Sequence, residues 1–236
     1  MRHIFRGIFF DMGGTLVFPD PERISAAFSR HLKRDFPPSR CLEAVHAATI
    51  ELDRRLTVPS EKPEDWWGDY FGVVADHCDP ERLSSSAERL HAFEELRADH
   101  RKRNLWSWFV PGVRELLDWL ESTGVVAGII SNSDGRVKAQ LRAEGLLDRF
   151  RVVLDSHEVG IEKPEARIFR MALDAVRLEA RDSLYIGDFT NIDGRGASRA
   201  GLSALIIDPL GKRSEWGYPT VRSLESVRNW LEAAGS

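Results

Sequence analysis

Cysteine is scarce: the 236-residue chain has two, Cys41 and Cys78. A scaffold stapled by disulfides needs a denser set, so both are read as free thiols in a reducing compartment. Long apolar runs are also missing. Near the start, Ile8-Phe9-Phe10 gives way at once to Asp11. That is too short for the core of a secretory signal or a membrane span, and no later run approaches membrane length. With no address to read, the cytoplasm is the expected location. Nor is there an excess of positive charge. The formal net charge of -4 argues against nucleic acid or an anionic membrane as partner, since both call for a basic face. Internal repeats and low-complexity segments are lacking too.

What is present is patterned. Gly7-Ile-Phe-Phe10 is a continuous apolar run of the kind that forms a strand buried on both faces. It leads into Asp11-Met-Gly-Gly-Thr-Leu16, whose glycines allow a sharp turn and close approach of backbone to a ligand. From about residue 20 to 103 strand-like runs disappear. Ala44, Ala47, Ala48 and Leu52 recur at helical spacing, and breaks at Pro37-Pro38, Pro59 to Pro63 and Asp79-Pro80 predict three or four helices. From Trp106 onward strand and helix alternate. Strands are predicted at 125–130, 152–154, 183–186 and, last, 204–207. One helix is predicted to take Pro111 into its first turn, to carry Val113, Leu116, Leu117 and Leu120 on one face, and to stop at Gly124. Others run from Val137 to Gly145, along the Ile168, Phe169, Ala172, Leu173, Val176 stripe, and up to Gly201. Ser223 is the expected cap of a final helix carrying Leu224, Val227 and Leu231.

This alternation predicts an α/β fold with a doubly wound, Rossmann-like parallel sheet. In such sheets ligands lie beyond the carboxyl ends of the strands. The residues standing there are Asp11, Ser131-Asn132, Lys163, and Asp188 with Asp193. A carboxylate, a hydroxyl, a lysine and an acidic pair make a coherent phosphoryl-transfer set. Acids at strand ends suit a divalent cation such as magnesium, which prefers oxygen ligands. The cation and the lysine offset the charge between an anionic phosphate and an anionic nucleophile. A hydroxyl and backbone N–H groups bind phosphoryl oxygens, and an aspartate can attack to form a covalent intermediate.

Four segments in order carry a resemblance: Phe10-Asp11-Met-Gly-Gly-Thr15-Leu16, Ile129-Ile130-Ser131-Asn132, Glu162-Lys163-Pro164, and Tyr185-Ile186-Gly187-Asp188-Phe-Thr-Asn-Ile-Asp193. With them the chain resembles the haloacid dehalogenase-like hydrolases along essentially its whole length. The likeness is to the subfamily with a small helical cap inserted after the first strand, and within it to the REG-2-like branch. The resemblance implies a core of residues 1–17 and 106–236 and a cap of residues 18–105. It implies Asp11 as nucleophile, steadied by Lys163. Ser131 would bind the phosphate of a small phosphorylated substrate, with Asn132, Thr15 and Gly14 beside it. Mg2+ would be held by Asp11, the Gly13 carbonyl and Asp188, with Asp193 in its outer shell or bound through water. The oligomeric expectation is a monomer or homodimer.

One position departs from the family pattern. Its phosphatases usually carry a second Asp two residues after the nucleophile, to protonate the leaving group and activate water. Here Gly13 stands there. General acid–base help is worth ~10²–10⁴-fold, so poor leaving groups should suffer most, and acyl, anhydride and aryl phosphates least. Other chemistries stay open at this point: dehalogenation by Asp11, phosphonate cleavage through a Schiff base on Lys33 or Lys62, and a binding protein with impaired turnover. Asp188 favours the metal-dependent phosphoryl reaction over dehalogenation.

Several residues have plainer readings. Asp193 is also a candidate helix N-cap, Ser131 a helix cap, and Asn132 the head of an Asx turn. Gly194-Arg-Gly196 with Gly201 has the wrong spacing for a dinucleotide loop. Trp66, Trp67, Tyr70 and Phe71 suit either a pocket wall or a small hydrophobic core. Arg54 and Arg55 are read as solvated charges. His31, His46, His77 and His91 lack metal-ligand spacing.

Overall fold

The structure is a computed structural model that describes residues 5–56, 65–81 and 83–234. Lys62 and the break from Pro59 to Pro63 lie outside the described residues. The strands are β1 (Gly7–Phe10), β2 (Val17–Pro19), β3 (Trp106–Phe109), β4 (Val126–Ser131), β5 (Val152–Asp155), β6 (Ser183–Gly187), β7 (Ser203–Ile207) and β8 (Thr220–Val221). The helices are α1 (Pro21–Leu32), α2 (Pro38–Arg55), α3 (Trp66–Cys78), α4 (Ser86–Lys102), α5 (Val113–Ser122), α6 (Val137–Ala143), α7 (Ser156–Val159), α8 (Ala166–Val176), α9 (Arg195–Ala200) and α10 (Glu225–Ala234). The chain divides into two compact units, one made of the chain up to Leu16 with Phe109 onward, the other of Val17–Trp108.

In the first unit six parallel strands lie in the order β5-β4-β1-β6-β7-β8. This is the parallel α/β sheet that the alternation predicts. Successive strands step outward from β1 on one side, through β4 to β5. The chain then crosses to the other side for β6, β7 and β8. The loops leaving β1 and β6 therefore part in opposite directions, which opens a crevice at their carboxyl ends. Register sets what meets there. Phe10 pairs with Ile129 and Ile186, so Asp11 comes level with Ile130 and Gly187. Ser131 and Asp188 follow one residue later. Every residue of β1 is buried, as the continuous apolar run requires. Phe9 faces Ile130 and Tyr185 under the stripe Ile168, Phe169, Ala172 and Leu173 of α8. Ile8 and Phe10, alternating with Phe9, point to the other face. Burying each large side chain contributes about 1.5–3 kcal/mol, which fixes the strand ends within the sheet.

Among its described residues the second unit holds four helices. Pro21 and Pro38 stand at first-turn positions, and Asp20, Asp65 and Ser85 cap α1, α3 and α4 by accepting backbone N–H bonds. Ser85 and Glu88 form a reciprocal capping box. Tyr70 and Phe71 are buried, and their rings meet those of Trp67 and Trp106. This aromatic group is thus part of the hydrophobic core of the helical unit. Arg23 spends its guanidinium on Asp99, Ser107 and the carbonyls of Arg103 and Asn104. It ties the start of α1 to the residues that follow α4.

Some expected boundaries need correction. β2 and β3 form a two-stranded sheet where no strand was expected. The bonds Val110 N to Leu16 O and Asp20 N to Leu105 O make that pair antiparallel. β7 is not the last strand, since β8 pairs beyond it. Pro111 lies outside α5, because Gly112 at φ 88° serves as N-cap. Ser223 spends its hydroxyl on Ser226 Oγ. No described helix is long and apolar enough to cross a membrane.

Candidate active site

Lys163 is the centre of the site. It is buried to 1% exposure, and its three ammonium protons have three partners. Nζ lies 2.9 Å from Asp11 Oδ1, 2.8 Å from Asp193 Oδ1 and 2.8 Å from Tyr185 Oη. A lysine has three donors and no acceptor, so this set saturates it. Tyr185 passes its own proton to the Ile130 carbonyl at 2.7 Å, which ties the lysine to β4. The backbone of Lys163 is held as firmly. Its N–H donates to Asn132 Oδ1 at 2.8 Å and its carbonyl accepts from Asn132 Nδ2 at 2.9 Å. Both ends of the Asn132 amide are therefore spent on Lys163. The side chain thereby positions the lysine, and it forms no local Asx turn.

Asp193 also corrects an expectation. It caps no helix; it lies within a π-helical turn, Thr190–Gly194. From there its Oδ2 reaches back to accept the N–H groups of Asp188 (3.1 Å) and Phe189 (2.9 Å). Gly187 makes room for it, since a Cβ there would meet Asp193 Oδ2 at 2.4 Å. Asp193 thus locks the loop that presents Asp188 while its other oxygen serves Lys163. Asp188 faces Gly14. At φ +79° and with a would-be Cβ 2.0 Å from Asp188 Oδ2, position 14 accepts glycine alone. Thr15 is buried, and its hydroxyl finds no partner among the described residues. Ser131 closes β4 in register with Asp155. The Asp155 carboxylate accepts from Gly135, Val137 and His157, and Ser156 Oγ bonds Ser133. These bonds shape the loop after Ser131.

The charges do not balance. Asp11, Asp188 and Asp193 bring carboxylate oxygens within 4.8 Å of one another, against the single ammonium of Lys163. Burial pushes Asp11 up to about 6 even though Lys163 pulls it down, and Asp193 adds to the rise. Burial, then the charges of Asp193 and Asp11, carry Asp188 well above the carboxylate range, with Arg213 and Lys163 opposing. Lys163 rises despite its burial, because Asp11 and Asp193 hold its proton. Asp188 Oδ1 is buried with no hydrogen-bond partner among the described residues. An orphaned carboxylate oxygen is costly, and a hard divalent cation with oxygen ligands fits that deficit. Asp193 has both oxygens committed, so Asp11 and Asp188 are the acids with coordination capacity to spare. Asp11 is the most open of the three, at 9% exposure against 3% for Asp188 and 1% for Asp193.

The site brings together Asp11, Gly14, Asn132, Lys163, Asp188 and Asp193 through hydrogen bonds, ion pairs and close approaches. Gly13 is half-buried in the loop between Asp11 and Gly14. Sequence reasoning passed over Tyr185, treating it as strand. A phenol in the middle of a buried strand, between Leu184 and Ile186, was the available signal, since a buried hydroxyl needs a partner. Lys33 is exposed and paired with Glu88 at 2.9 Å, which is no setting for a Schiff-base lysine.

Residues 5–201 match the family model of the haloacid dehalogenase-like hydrolases. The chain is similar to haloacid dehalogenase-like hydrolase domain-containing protein 3 of Bos taurus, 29% identical over 59% of this chain and 57% of that one. That match spans less than two thirds of the relative's length. It is also similar to the phosphoserine phosphatase of Thermus thermophilus, 30% identical over 75% of this chain and 71% of that one. A solved structure of a HAD phosphatase from Thermococcus onnurineus shares the fold. Its TM-score is 0.59, over 96% of this chain and 98% of that one, at 24% identity.

Proposed function

The chain belongs to the haloacid dehalogenase-like hydrolases, and from that premise we propose that it is a magnesium-dependent phosphatase of small phosphorylated metabolites, with Asp11 as nucleophile. The observation that carries this reading is the Asp11–Lys163–Asp193 ion-pair network beside the unpartnered Asp188 oxygen. Lys163 fixes Asp11 Oδ1, together with the Met12 N–H at 2.7 Å, and leaves Oδ2 to attack phosphorus. The P–O bond to the leaving group breaks as the aspartyl phosphate forms, and water then hydrolyses that acyl phosphate. Ser131, Thr15 and the Gly14 N–H are the groups that would bind the phosphoryl oxygens. Asp11, Asp188 and the Gly13 carbonyl would hold the magnesium ion, which neutralises phosphoryl charge. Asp193 keeps the Asp188 loop and Lys163 in place.

Gly13 has no side chain to protonate a leaving group. Asp11, Asp188 and Asp193 are all engaged in other roles. The preferred substrates are therefore those with weakly basic leaving groups, acyl phosphates first. Dehalogenation by Asp11 would leave the buried charge of Asp188 without a use, so phosphoryl transfer is favoured. The helical unit Val17–Trp108 is read as the cap that selects substrate, and the cytoplasm as the place of work.

Phosphate release from acetyl phosphate and p-nitrophenyl phosphate, each with magnesium and with EDTA, tests the reading. Turnover should need magnesium, favour acetyl phosphate and fall by roughly 10⁴-fold in Asp11→Asn. Unchanged turnover in that variant would remove Asp11 as nucleophile, and turnover that persists in EDTA would remove the metal.

A further inference from the structure

Two histidines and a glutamate of the helical unit meet across two helices and have no part in phosphoryl transfer. The ion pairs Arg23–Asp99, Arg30–Glu95 and Lys33–Glu88 climb α1 while they descend α4, so these helices are antiparallel neighbours. His31 follows Arg30 on α1. His91 and Glu95 stand one turn apart on α4, on the face turned toward it. His31 Nε2 lies 2.7 Å from Glu95 Oε2. The His91 and His31 rings lie 6.2 Å apart, centroid to centroid. Along the chain these histidines lack ligand spacing; the packing of α1 on α4 supplies it.

We propose that His31, His91 and Glu95 form a zinc site that clips α1 to α4. Two imidazoles and a carboxylate leave the fourth tetrahedral position to water. That set suits a borderline ion that takes nitrogen and oxygen alike. Magnesium prefers oxygen alone, so the all-oxygen cluster of the sheet unit is its place and this one is left to zinc. Little has to move. Zn–N bonds of ~2.0–2.1 Å at a tetrahedral angle put two ligating imidazole centroids about 5 Å apart, and a ligating nitrogen and oxygen about 3.3 Å apart. Against 6.2 and 2.7 Å here, neither distance changes by more than about 1 Å. His91 is exposed and makes no hydrogen bond or ion pair among the described residues, so its ring turns inward without breaking one. Exposed side chains make such turns in picoseconds to nanoseconds.

Glu95 is prepared as a ligand. Burial opposes its charge, but the bonds from Arg30 and His31 outweigh burial and hold its carboxyl below the usual range. Arg30 engages Oε1 while Oε2 faces His31, so the arginine orients the carboxylate from behind, as outer-shell partners of metal ligands do. A carboxylate only accepts, so His31 now donates its Nε2 proton to Oε2. Zinc takes the place of that proton, which leaves to solvent or moves to Nδ1. His31 and Glu95 are half-buried, with side chains 27% and 34% exposed, so the ion enters from solvent. Once bound it joins two helices that lie 60 residues apart in the chain at His31 and His91, and it stabilises the folded helical unit alone.

Zinc chloride, added to the full chain in an excess of magnesium, is the probe. Equilibrium dialysis should find one zinc per chain. Losing an outer-shell partner costs ~10–100-fold in metal affinity, so losing a ligand in His91→Ala should cost more than about tenfold. Glu95→Gln, which keeps the shape, should weaken binding as well. The ring resonances of His31 and His91 should both shift on addition of zinc, and those of the other histidines stay in place. Tm should rise by roughly 5–10 °C once zinc stands about 100-fold above its Kd, and His91→Ala should lose that rise. Because His91 is exposed, the variant should melt with the wild type when zinc is absent. Zinc held as tightly by His91→Ala, a shift of only one of the two rings, or zinc bound only when magnesium is left out would each overturn the proposal. None of these readouts uses phosphate release, so the site stands or falls apart from the phosphatase reading.

Discussion

At the scale of the residue, the site is arranged for charge at the expense of stability. Asp188 is buried beside two further carboxylates, and its folded pKa stands well above its unfolded value. Such a group favours the protonated folded state. Without metal, stability at this position therefore rises as pH falls from neutral toward about 4 and declines as pH rises. Asp188→Asn keeps the shape and removes the repulsion. It should raise Tm in EDTA by a few degrees while abolishing the increase that magnesium gives the wild type. Thermal melts of both proteins with and without magnesium decide it, and an equal magnesium shift in the variant would take Asp188 out of the metal site. Tyr185 makes the second residue-scale case. Its hydroxyl accepts from Lys163 and donates to Ile130 O. Tyr185→Phe leaves a buried carbonyl and one lysine proton unsatisfied, which costs about 1–3 kcal/mol. Denaturant melts should show that loss, and Mg-dependent turnover should drop because Lys163 no longer holds a single position. A variant with wild-type stability and turnover would make the phenol a bystander.

At the scale of the element, Asp79 shows how one carboxylate joins two helices. It follows α3 and accepts the N–H groups of Leu83 and Ser84 at 3.3 and 3.0 Å. It also pairs with Arg34 at 3.2 Å and Arg89 at 3.3 Å. Burial pushes its carboxyl up, but the bonds from Ser84 and Leu83 and the charge of Arg34 outweigh it and hold the pKa at about 2. This folded value lies below the unfolded one. The stabilisation, about 2 kcal/mol, is thus complete above roughly pH 4 and is lost as pH falls toward 2. Helical circular dichroism under denaturant, followed from pH 5 to 2, should show the wild type losing that amount over and above Asp79→Asn. Parallel acid curves would contradict it. The same scale shows what the sequence could reveal. The run of β1 and the stripe of α8 are legible because burial alone sets them. β2 and β8 are only three and two residues long, too short for a pattern, and β3 has no fully buried residue to mark it; each exists because a distant segment pairs with it. For Asn132 and Asp193, local chemistry offers an Asx turn and a helix cap as the plainer readings. Their real partners are Lys163, 31 residues on from Asn132, and a loop behind Asp193 that only a π-helical turn brings within reach. Four motifs mark residues that the structure brings together; the bonds among them depend on the fold.

At the scale of the whole molecule, the buried acidic cluster of Asp11, Asp188 and Asp193 lies in one compact unit and the acid-sensitive Asp79 network in the other. Asp11, Asp188, Asp193 and Lys163 belong to one unit, Asp79, Arg34 and Arg89 to the other. A ligand that binds only the native state stabilises the cooperative block that contains its site, by RT ln(1 + [L]/Kd). Proton uptake by Asp79 acts on the block that contains Asp79. Each unit has a buried core of its own, so each has the means to unfold as a block. Calorimetry should therefore resolve two transitions. Magnesium at about 100 Kd would add roughly 2.7 kcal/mol to the transition of the sheet unit and leave the other in place. Acidification from pH 4 toward 2 would lower the transition of the helical unit in the wild type more than in Asp79→Asn. A single transition that magnesium and Asp79 protonation both displace would show that the units unfold together. The stability of the metal site would then be set by helices that contribute no ligand to it.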